Sequence, residues 1–293
     1  MTQKNEISNG VNLSIIIVNW NTRNLLEKCL ISIYEKPQNF DFEVFVVDNA
    51  SSDKSVEMVK TGFPQVKLIA NKENTGFAKA NNQAIKQAQG EFVLLLNPDT
   101  EILNDSLEKT VSFMRSHAEV GIAGCRILNS DHSVQPSVRK FPDLWSQIII
   151  LLKLHRLFPK LISHYLISDF DYSKTQEVEQ VMGAFFMIRK EIFKKIGLLD
   201  ENFYIWFEEV DFCKRVKDHG EKNYYLSDAE IIHHQGQSFK QILSLQKQKA
   251  FNRSLKLYFK KHRPTAEYSI ISIFSIFSLP LAYLVQILKK KNK

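Results

Sequence analysis

Phe92-Val93-Leu94-Leu95-Leu96-Asn97-Pro98-Asp99 decides the fold: five apolar residues give way at once to a polar turn that ends in a carboxylate. A continuous apolar run of this length suits a strand buried on both faces, as in a parallel sheet covered by helices. Pro98 has no N–H to give to a ladder, so the strand must end before it. Ligands of open α/β sheets sit beyond the carboxyl ends of strands, and this strand delivers Asp99 there. A turn with no further task has the same local sequence, so the neighbouring segments must decide.

Working outward, the arrangement repeats. Residues 13–18 form a β-branched run ending at Asn19-Trp20-Asn21, followed by Leu25, Leu26, Cys29, Leu30 and Ile33 at helical spacing. Residues 42–47 end at Asp48-Asn49-Ala50-Ser51-Ser52-Asp53 and lead into a helix through Val56 and Val59. Residues 66–69 make a shorter strand ending in Asn71-Lys72-Glu73-Asn74. The next helix takes Asn74 or Thr75 as its cap, buries Phe77, Ala80, Ala84, Ile85 and Ala88, and stops at Gly90. Four strand-turn-helix units in about 100 residues predict a doubly wound α/β domain with a mostly parallel sheet and helices on both faces. Right-handed crossovers align Asn19, Asn21, Asp48, Asn49, Asn97 and Asp99 on one edge, which suits a polar ligand. The absence of GxGxxG and GxxxxGK[ST] stretches argues against a dinucleotide dehydrogenase or a P-loop enzyme.

The second half is less regular. Residues 121–128 read as a strand, and residues 144–167, apolar, mildly basic and interrupted by Pro159, read as two core helices or a lipid contact. Residues 181–188 form a strand opening with Gly183-Ala184, small enough to let a ligand approach the backbone, and a helix over 190–196 ends at Gly197. Glu208, Glu209 and Asp211 follow five bulky apolar residues, 203–207, and are costly to bury unless paired, protonated or facing a cation. As the start of a helix they would lie where its N-terminus favours anions, with Glu208 and Asp211 on one face. Ile231-Ile232-His233-His234 is a strand ending in histidines, which in a chain that already offers Asp99 suit a metal or a phosphate.

Composition excludes other classes. With 44% hydrophobic and 24% charged residues over 293 positions, the chain is an ordinary folded protein. Cys29, Cys125 and Cys213 are far apart and odd in number, which implies a reducing compartment, and the polar stretch 1–11 lacks the apolar core of a signal peptide. The net charge of +7 is uneven: residues 241–293 hold eleven Lys or Arg against Glu267 alone. Residues 268–288 carry no charge and are bracketed by basic clusters, long enough to span a bilayer. Basic residues on both flanks, recurring serines and Pro280 suit an interfacial segment equally well. The cations flank an apolar segment and no nucleic-acid-binding motif accompanies them, so an anionic membrane surface is the expected partner and nucleic acid is not.

Taken in order, seven segments resemble glycosyltransferase family 2, the inverting enzymes of the GT-A fold, most closely its bacterial rhamnosyltransferase-like branch. They are the motifs around Ile16 to Asn21, Val46 to Asp53, Asn74 to Asn82, Leu95 to Asp99, Gly183 to Phe185, Glu208 to Asp211 and His233 to Gly236. The resemblance covers 12–262: a nucleotide-binding half over about 12–100, an acceptor-binding half over about 101–240, and a membrane-associating tail at 263–293 beyond it. It implies a nucleotide-sugar site of Val18, Asn19, Asn21, Asp48, Asn49, Asn74, Gly76, Phe77, Lys79, Asn82 and Asn97, with Asp48 on the pyrimidine base. It also implies a sugar or acceptor pocket at Gly183, Ala184 and Trp206. Asp99 closes a DxD-type motif for a divalent cation, Mg²⁺ or Mn²⁺; the first Asp of that motif is Asn97 here, so His233 is the further ligand expected. Of the carboxylates, Glu209 matches the family's base, Asp211 competes for that role, and Glu208 lies beside them.

The function implied is inverting, metal-dependent transfer of a sugar, rhamnose among the candidates, from dTDP-rhamnose or a UDP-sugar to a lipid-linked or cell-envelope glycan at the cytoplasmic face of the membrane. A sugar nucleotidyltransferase would show a glycine-rich N-terminal loop, absent here. A membrane-tethered binding module built on an impaired transferase is the alternative that Asn97 and Glu209 leave open.

Overall fold

The computed structural model describes residues 10–234 and 244–291. Most of the polar N-terminal stretch and Gln235 and Gly236 of the last motif lie outside the described residues. The chain opens with β1 (Leu13–Asn19), α1 (Arg23–Tyr34), β2 (Phe42–Asp48), α2 (Ser55–Gly62), β3 (Lys67–Ala70), α3 (Phe77–Ile85) and β4 (Phe92–Leu96). It continues through β5 (Thr100–Ile102), α4 (Ser106–Ser116), β6 (Val120–Leu128), β7 (Val138–Arg139), α5 (Leu144–Leu151), α6 (Ser163–Leu166), β8 (Gln176–Val178), β9 (Gln180–Val181) and β10 (Phe185–Arg189). Last come α7 (Glu191–Ile196), α8 (Glu208–Asp218), β11 (Lys222–His233), α9 (Ser244–His262) and α10 (Thr265–Lys291).

The central sheet has the order β3-β2-β1-β4-β10-β6-β11-β5, with β8 on the other end of β11. From β3 to β4 every pairing is parallel, as the repeated units require; β10 runs antiparallel between β4 and β6. Alternation along β4 explains its unbroken apolar run. Phe92, Leu94 and Leu96 enter the core under α1 and α4, whereas Val93 and Leu95 enter the core under α3. Ser14, fully buried in β1, donates to Glu43 Oε1 (2.6 Å) and accepts from Gly90 N (2.9 Å), which pins the start of β4 to its neighbour. A Cβ at Gly90 would lie 2.5 Å from Ser14 N, so the approach needs glycine.

Sheet direction then gathers the site. The carboxyl ends of β1, β2, β3, β4, β6 and β11 and the amino ends of β5 and β10 share one rim: Phe185 pairs with Leu96, and Thr100 with His233. Residues 144–167 are not two core helices. Pro159 cannot continue a helix, and α5 is followed by 3₁₀ turns at Leu154–Arg156 and Pro159–Ile162 that leave Leu157, Phe158 and Leu161 exposed, as is Trp145 on α5. A third apolar cluster joins α5, the start of α8, α9 and α10 through Leu151, Phe207, Leu255, Tyr258 and Ile271.

Candidate active site

At the rim of β1 and β2, Asp48 is buried and accepts from Asn19 Nδ2 (2.8 Å) and Ser51 N (2.8 Å). Each bond uses one lone pair of a different oxygen, so the carboxylate keeps acceptor capacity for a ligand N–H. Asn21 adopts a left-handed conformation that asparagine tolerates, and its Oδ1 accepts from Ser52 N (2.8 Å), holding the two rim loops together. Val18 packs in the core under α3.

Several other expected site residues also hold the scaffold together. Asn82 is buried and donates to Leu199 O (2.9 Å) and Glu201 Oε1 (3.0 Å) while accepting from Leu199 N (3.2 Å), which leaves no free donor for a ligand. Asn49, also buried, accepts from Asn71 and Thr75 and donates to Gly76 O (3.2 Å), bracing the 71–76 loop. Asn74 Oδ1 accepts from Gly76 N (3.0 Å), so the residue capping α3 is Gly76, with φ +86°, not Asn74 or Thr75. That glycine is required: a Cβ would lie 2.7 Å from Tyr204 O, to which Phe77 N also donates (2.9 Å). Phe77 is partly buried and Lys79 is exposed on the outer turn of α3.

Past β4, Asn97 N donates to Ala184 O (3.0 Å), setting Asn97, Gly183 and Ala184 side by side. Asp99 Oδ1 lies 3.3 Å from His233 Nε2, both side chains buried. The imidazole is oriented from behind: Gln135 Nε2 donates to Asn129 Oδ1 (2.7 Å), so Gln135 Oε1 faces His233 Nδ1 (2.8 Å) and assigns the proton to Nδ1. That leaves Nε2 as the ring nitrogen facing Asp99 Oδ1, and the two atoms are close enough to serve as neighbouring ligands of one divalent cation. Among the described residues no third His, Cys, Asp or Glu completes a cluster, so a cation on this pair would need its remaining ligands from outside the protein. One carboxylate oxygen and one imidazole nitrogen are donors that could hold a divalent cation.

Facing this rim, α8 begins with two bulky residues in left-handed conformations, Trp206 (φ +62°) and Phe207 (φ +69°). Each costs about 1–3 kcal/mol and persists only where packing enforces it. Phe251 and Tyr258 of α9 pack edge-on or tilted against this turn. The turn presents Glu208, buried, and Glu209, half-buried beside Gly183, where a Cβ would lie 3.6 Å from Glu209 Cγ. Burial, reinforced by the adjacent Glu209 charge, pushes Glu208 well above the usual carboxylate range. Burial also raises Glu209, opposed by backbone N–H groups and by the Arg139 guanidinium. Among the described residues, Oε2 of each has no hydrogen-bond partner.

Asp211 is different. It is wholly buried, with Oδ2 accepting from Arg215 Nε (2.9 Å) and Oδ1 meeting His262 Nε2 (2.7 Å) and Lys261 Nζ (2.7 Å). Burial raises its pKa, but these partners outweigh burial and leave it below the usual range. The carboxylate ties α8 to the end of α9 and lacks room for a substrate proton. Gln135, Arg139, Tyr204, Lys261 and His262 are the residues of this assembly that sequence reasoning missed. The only signal was the basic 260–263 cluster, which reads as a membrane flank.

A nine-stranded, mostly parallel α/β sheet covered by helices is the GT-A arrangement, and solved structures share the fold. A mannosyltransferase from Pyrobaculum calidifontis in complex with GDP-Man and Mn²⁺ superposes with a TM-score of 0.58 at 18% identity, covering 94% of this chain and 74% of that one. S. aureus TarS in complex with UDP superposes with a TM-score of 0.55 at 18% identity, over 89% and 70%. The glycosyl transferase family 2 model matches residues 14–197, and the chain belongs to that family: it is a glycosyltransferase. Among curated relatives, an N-acetylglucosaminyl-diphospho-decaprenol L-rhamnosyltransferase of Mycobacterium tuberculosis is 25% identical over 77% of each chain. Rhamnosyltransferase WbbL of Escherichia coli is 26% identical over 63% of this chain and 69% of its own. A low-salt glycan biosynthesis hexosyltransferase of Haloferax volcanii is 28% identical over 70% of this chain and 61% of its own.

Proposed function

We propose that this glycosyltransferase moves a sugar, rhamnose in our reading, from a nucleoside diphosphate donor to a lipid-linked glycan, with inversion and with Glu209 as base. Asp48 receives the base of the nucleotide, Asn97 and the Gly183-Ala184 backbone border the sugar, and Asp99 and His233 hold a Mg²⁺ or Mn²⁺ ion. When bound, that ion offsets the negative charge that grows on the departing diphosphate. The acceptor oxygen forms its bond to the anomeric carbon on the face opposite the breaking bond to the diphosphate, and its proton passes to Glu209.

The observation that carries this reading is the Glu209 carboxyl: beside Gly183, raised by burial, and with one oxygen that has no hydrogen-bond partner among the described residues. A base with a raised pKa removes a proton more effectively near neutral pH. Asp211 is set aside as the base because Arg215, Lys261 and His262 occupy both of its oxygens. The two rhamnosyltransferase relatives favour rhamnose, and the decaprenyl-linked acceptor in the name of one favours a lipid-linked acceptor. Attachment to the cytoplasmic face of the membrane through α9 and α10 suits such an acceptor. A panel of nucleotide sugars tested for binding and turnover, with Mn²⁺ and with EDTA, tests the proposal. Cation-dependent preference for dTDP-rhamnose supports it, and binding without turnover of any donor would mark a binding module instead.

A further inference from the structure

Helices α9 and α10 fold back on each other after Arg263-Pro264 and share a polar seam. Asn252 Nδ2 donates to Ser275 O and Ser278 Oγ (both 2.8 Å), and Gln248 Nε2 donates to Asn252 Oδ1 (2.8 Å). Ser275 and Ser278, the α10 side of the seam, lie inside Thr265–Tyr283, the stretch long and apolar enough to cross a bilayer. Crossing would therefore drag the polar and cationic face of α9 into hydrocarbon, where charged side chains carry a heavy penalty.

Beside the seam runs a groove of about 180 Å³. Lys249, Arg253 and Lys256 line it from α9, spaced along one helical stripe, and Ser275, Ile276 and Leu279 line it from α10. Among the described residues no carboxylate pairs with any of the three cations, whereas Lys261 and Arg263 further along are paired. Ser275, 4% exposed, has an Oγ with no partner among the described residues. The outer face of α10 next to the groove exposes Ile273, Ile276 and Phe277. The groove is smaller than the roughly 300 Å³ at which sites for drug-sized ligands begin, so it suits one anionic group better than a whole soluble ligand. Cations beside an exposed apolar helix face are the pattern of a segment lying in the membrane interface.

We infer that this groove takes the phosphate of an anionic phospholipid headgroup while Ile273, Ile276 and Phe277 enter the adjoining acyl region. The hairpin thus lies along the membrane and does not cross it. This rests on the membrane attachment proposed above, and the test separates the two.

The full chain is sedimented with phosphatidylcholine vesicles with and without phosphatidylglycerol. Each cation near an anionic surface contributes roughly a fivefold gain, so Lys249→Gln/Arg253→Gln/Lys256→Gln weakens binding to phosphatidylglycerol vesicles ~100-fold. The matched triple Lys28→Gln/Lys36→Gln/Lys60→Gln, at exposed positions far along the chain, leaves it within a few-fold. Unchanged melting temperatures show that both triples are folded. Equal losses in the two triples, or no loss in the first, overturn the groove. Phosphatidylcholine vesicles carrying a polyprenyl diphosphate supply the other source of lipid phosphate. If they recruit the chain more tightly than phosphatidylglycerol through the same three cations, the occupant is the acceptor and the inference fails. A full chain that binds no vesicle refutes membrane attachment itself.

Discussion

Glu209→Gln and Asp211→Asn should move activity and stability in opposite directions. The ionised form of Glu209 is penalised by burial, so a neutral amide of the same shape removes that penalty and leaves the melting temperature unchanged or higher at pH 7 to 8. Turnover should fall by about 10²–10⁴, the range a positioned base contributes, while affinity for nucleoside diphosphate persists. Asp211→Asn withdraws a wholly buried charge from Arg215, Lys261 and His262, and breaking such a network costs about 3–5 kcal/mol. At roughly 2–4 °C per kcal/mol, melting should drop by about 10 °C, with transfer retained in assays well below the transition. The pH dependences oppose each other too. Asp211, lowered from 3.8, contributes stability that is present above that value and lost as pH falls through its folded value. Glu208 and Glu209, raised from 4.5, contribute stability that is full below that value and lost as pH rises through theirs. Calorimetric melting between pH 3 and 8, paired with transfer assays, reads both. A fully stable Asp211→Asn without turnover, beside an active Glu209→Gln, would refute the assignment.

Gln135→Leu removes the acceptor that fixes the His233 tautomer and should weaken Mn²⁺ affinity about 10–100-fold by titration calorimetry, with little change in nucleotide binding measured without metal. Asn97→Asp restores a carboxylate beside Asp99 and should tighten Mn²⁺ binding in the same titration; weaker binding would count against a cation at this rim. Gly90→Ala forces a Cβ against the Ser14 backbone and should cost about 1–3 kcal/mol in denaturant unfolding, leaving donor preference intact.

The parallel strands β1 to β4 were legible as apolar runs such as 92–96, and the rim because these runs stop at Asn or Asp. β5, β7, β8 and β9, two or three residues long, carry no such run, and the strand expected over 181–188 divides into β9 and β10 around a turn at Gly183-Ala184. The direction of β10 was not legible, since an apolar run has no polarity. Asn49 and Asn82 look like ligand groups in sequence, yet their amides serve backbone atoms as far away as Leu199, 117 residues on. Asp211 misled for the same reason: His262, one of the groups that neutralise it, lies 51 residues downstream in a cluster that reads as a membrane flank. Glu209 was legible only through its motif. Its free oxygen and its contact with Gly183 depend on a strained turn at 206–207 that α9 holds in place.

The central claim is that Asp99 and His233 hold a cation on the donor diphosphate while Glu209 takes the acceptor proton. Its most direct test is sugar transfer from dTDP-rhamnose to a polyprenyl-diphosphate-linked glycan, by wild type and Asp99→Ala, with Mn²⁺ and with EDTA. The account predicts a product of inverted anomeric configuration from the wild type with Mn²⁺ alone, and none from Asp99→Ala in either condition. Transfer by Asp99→Ala at the wild-type rate, or by the wild type in EDTA, would contradict it.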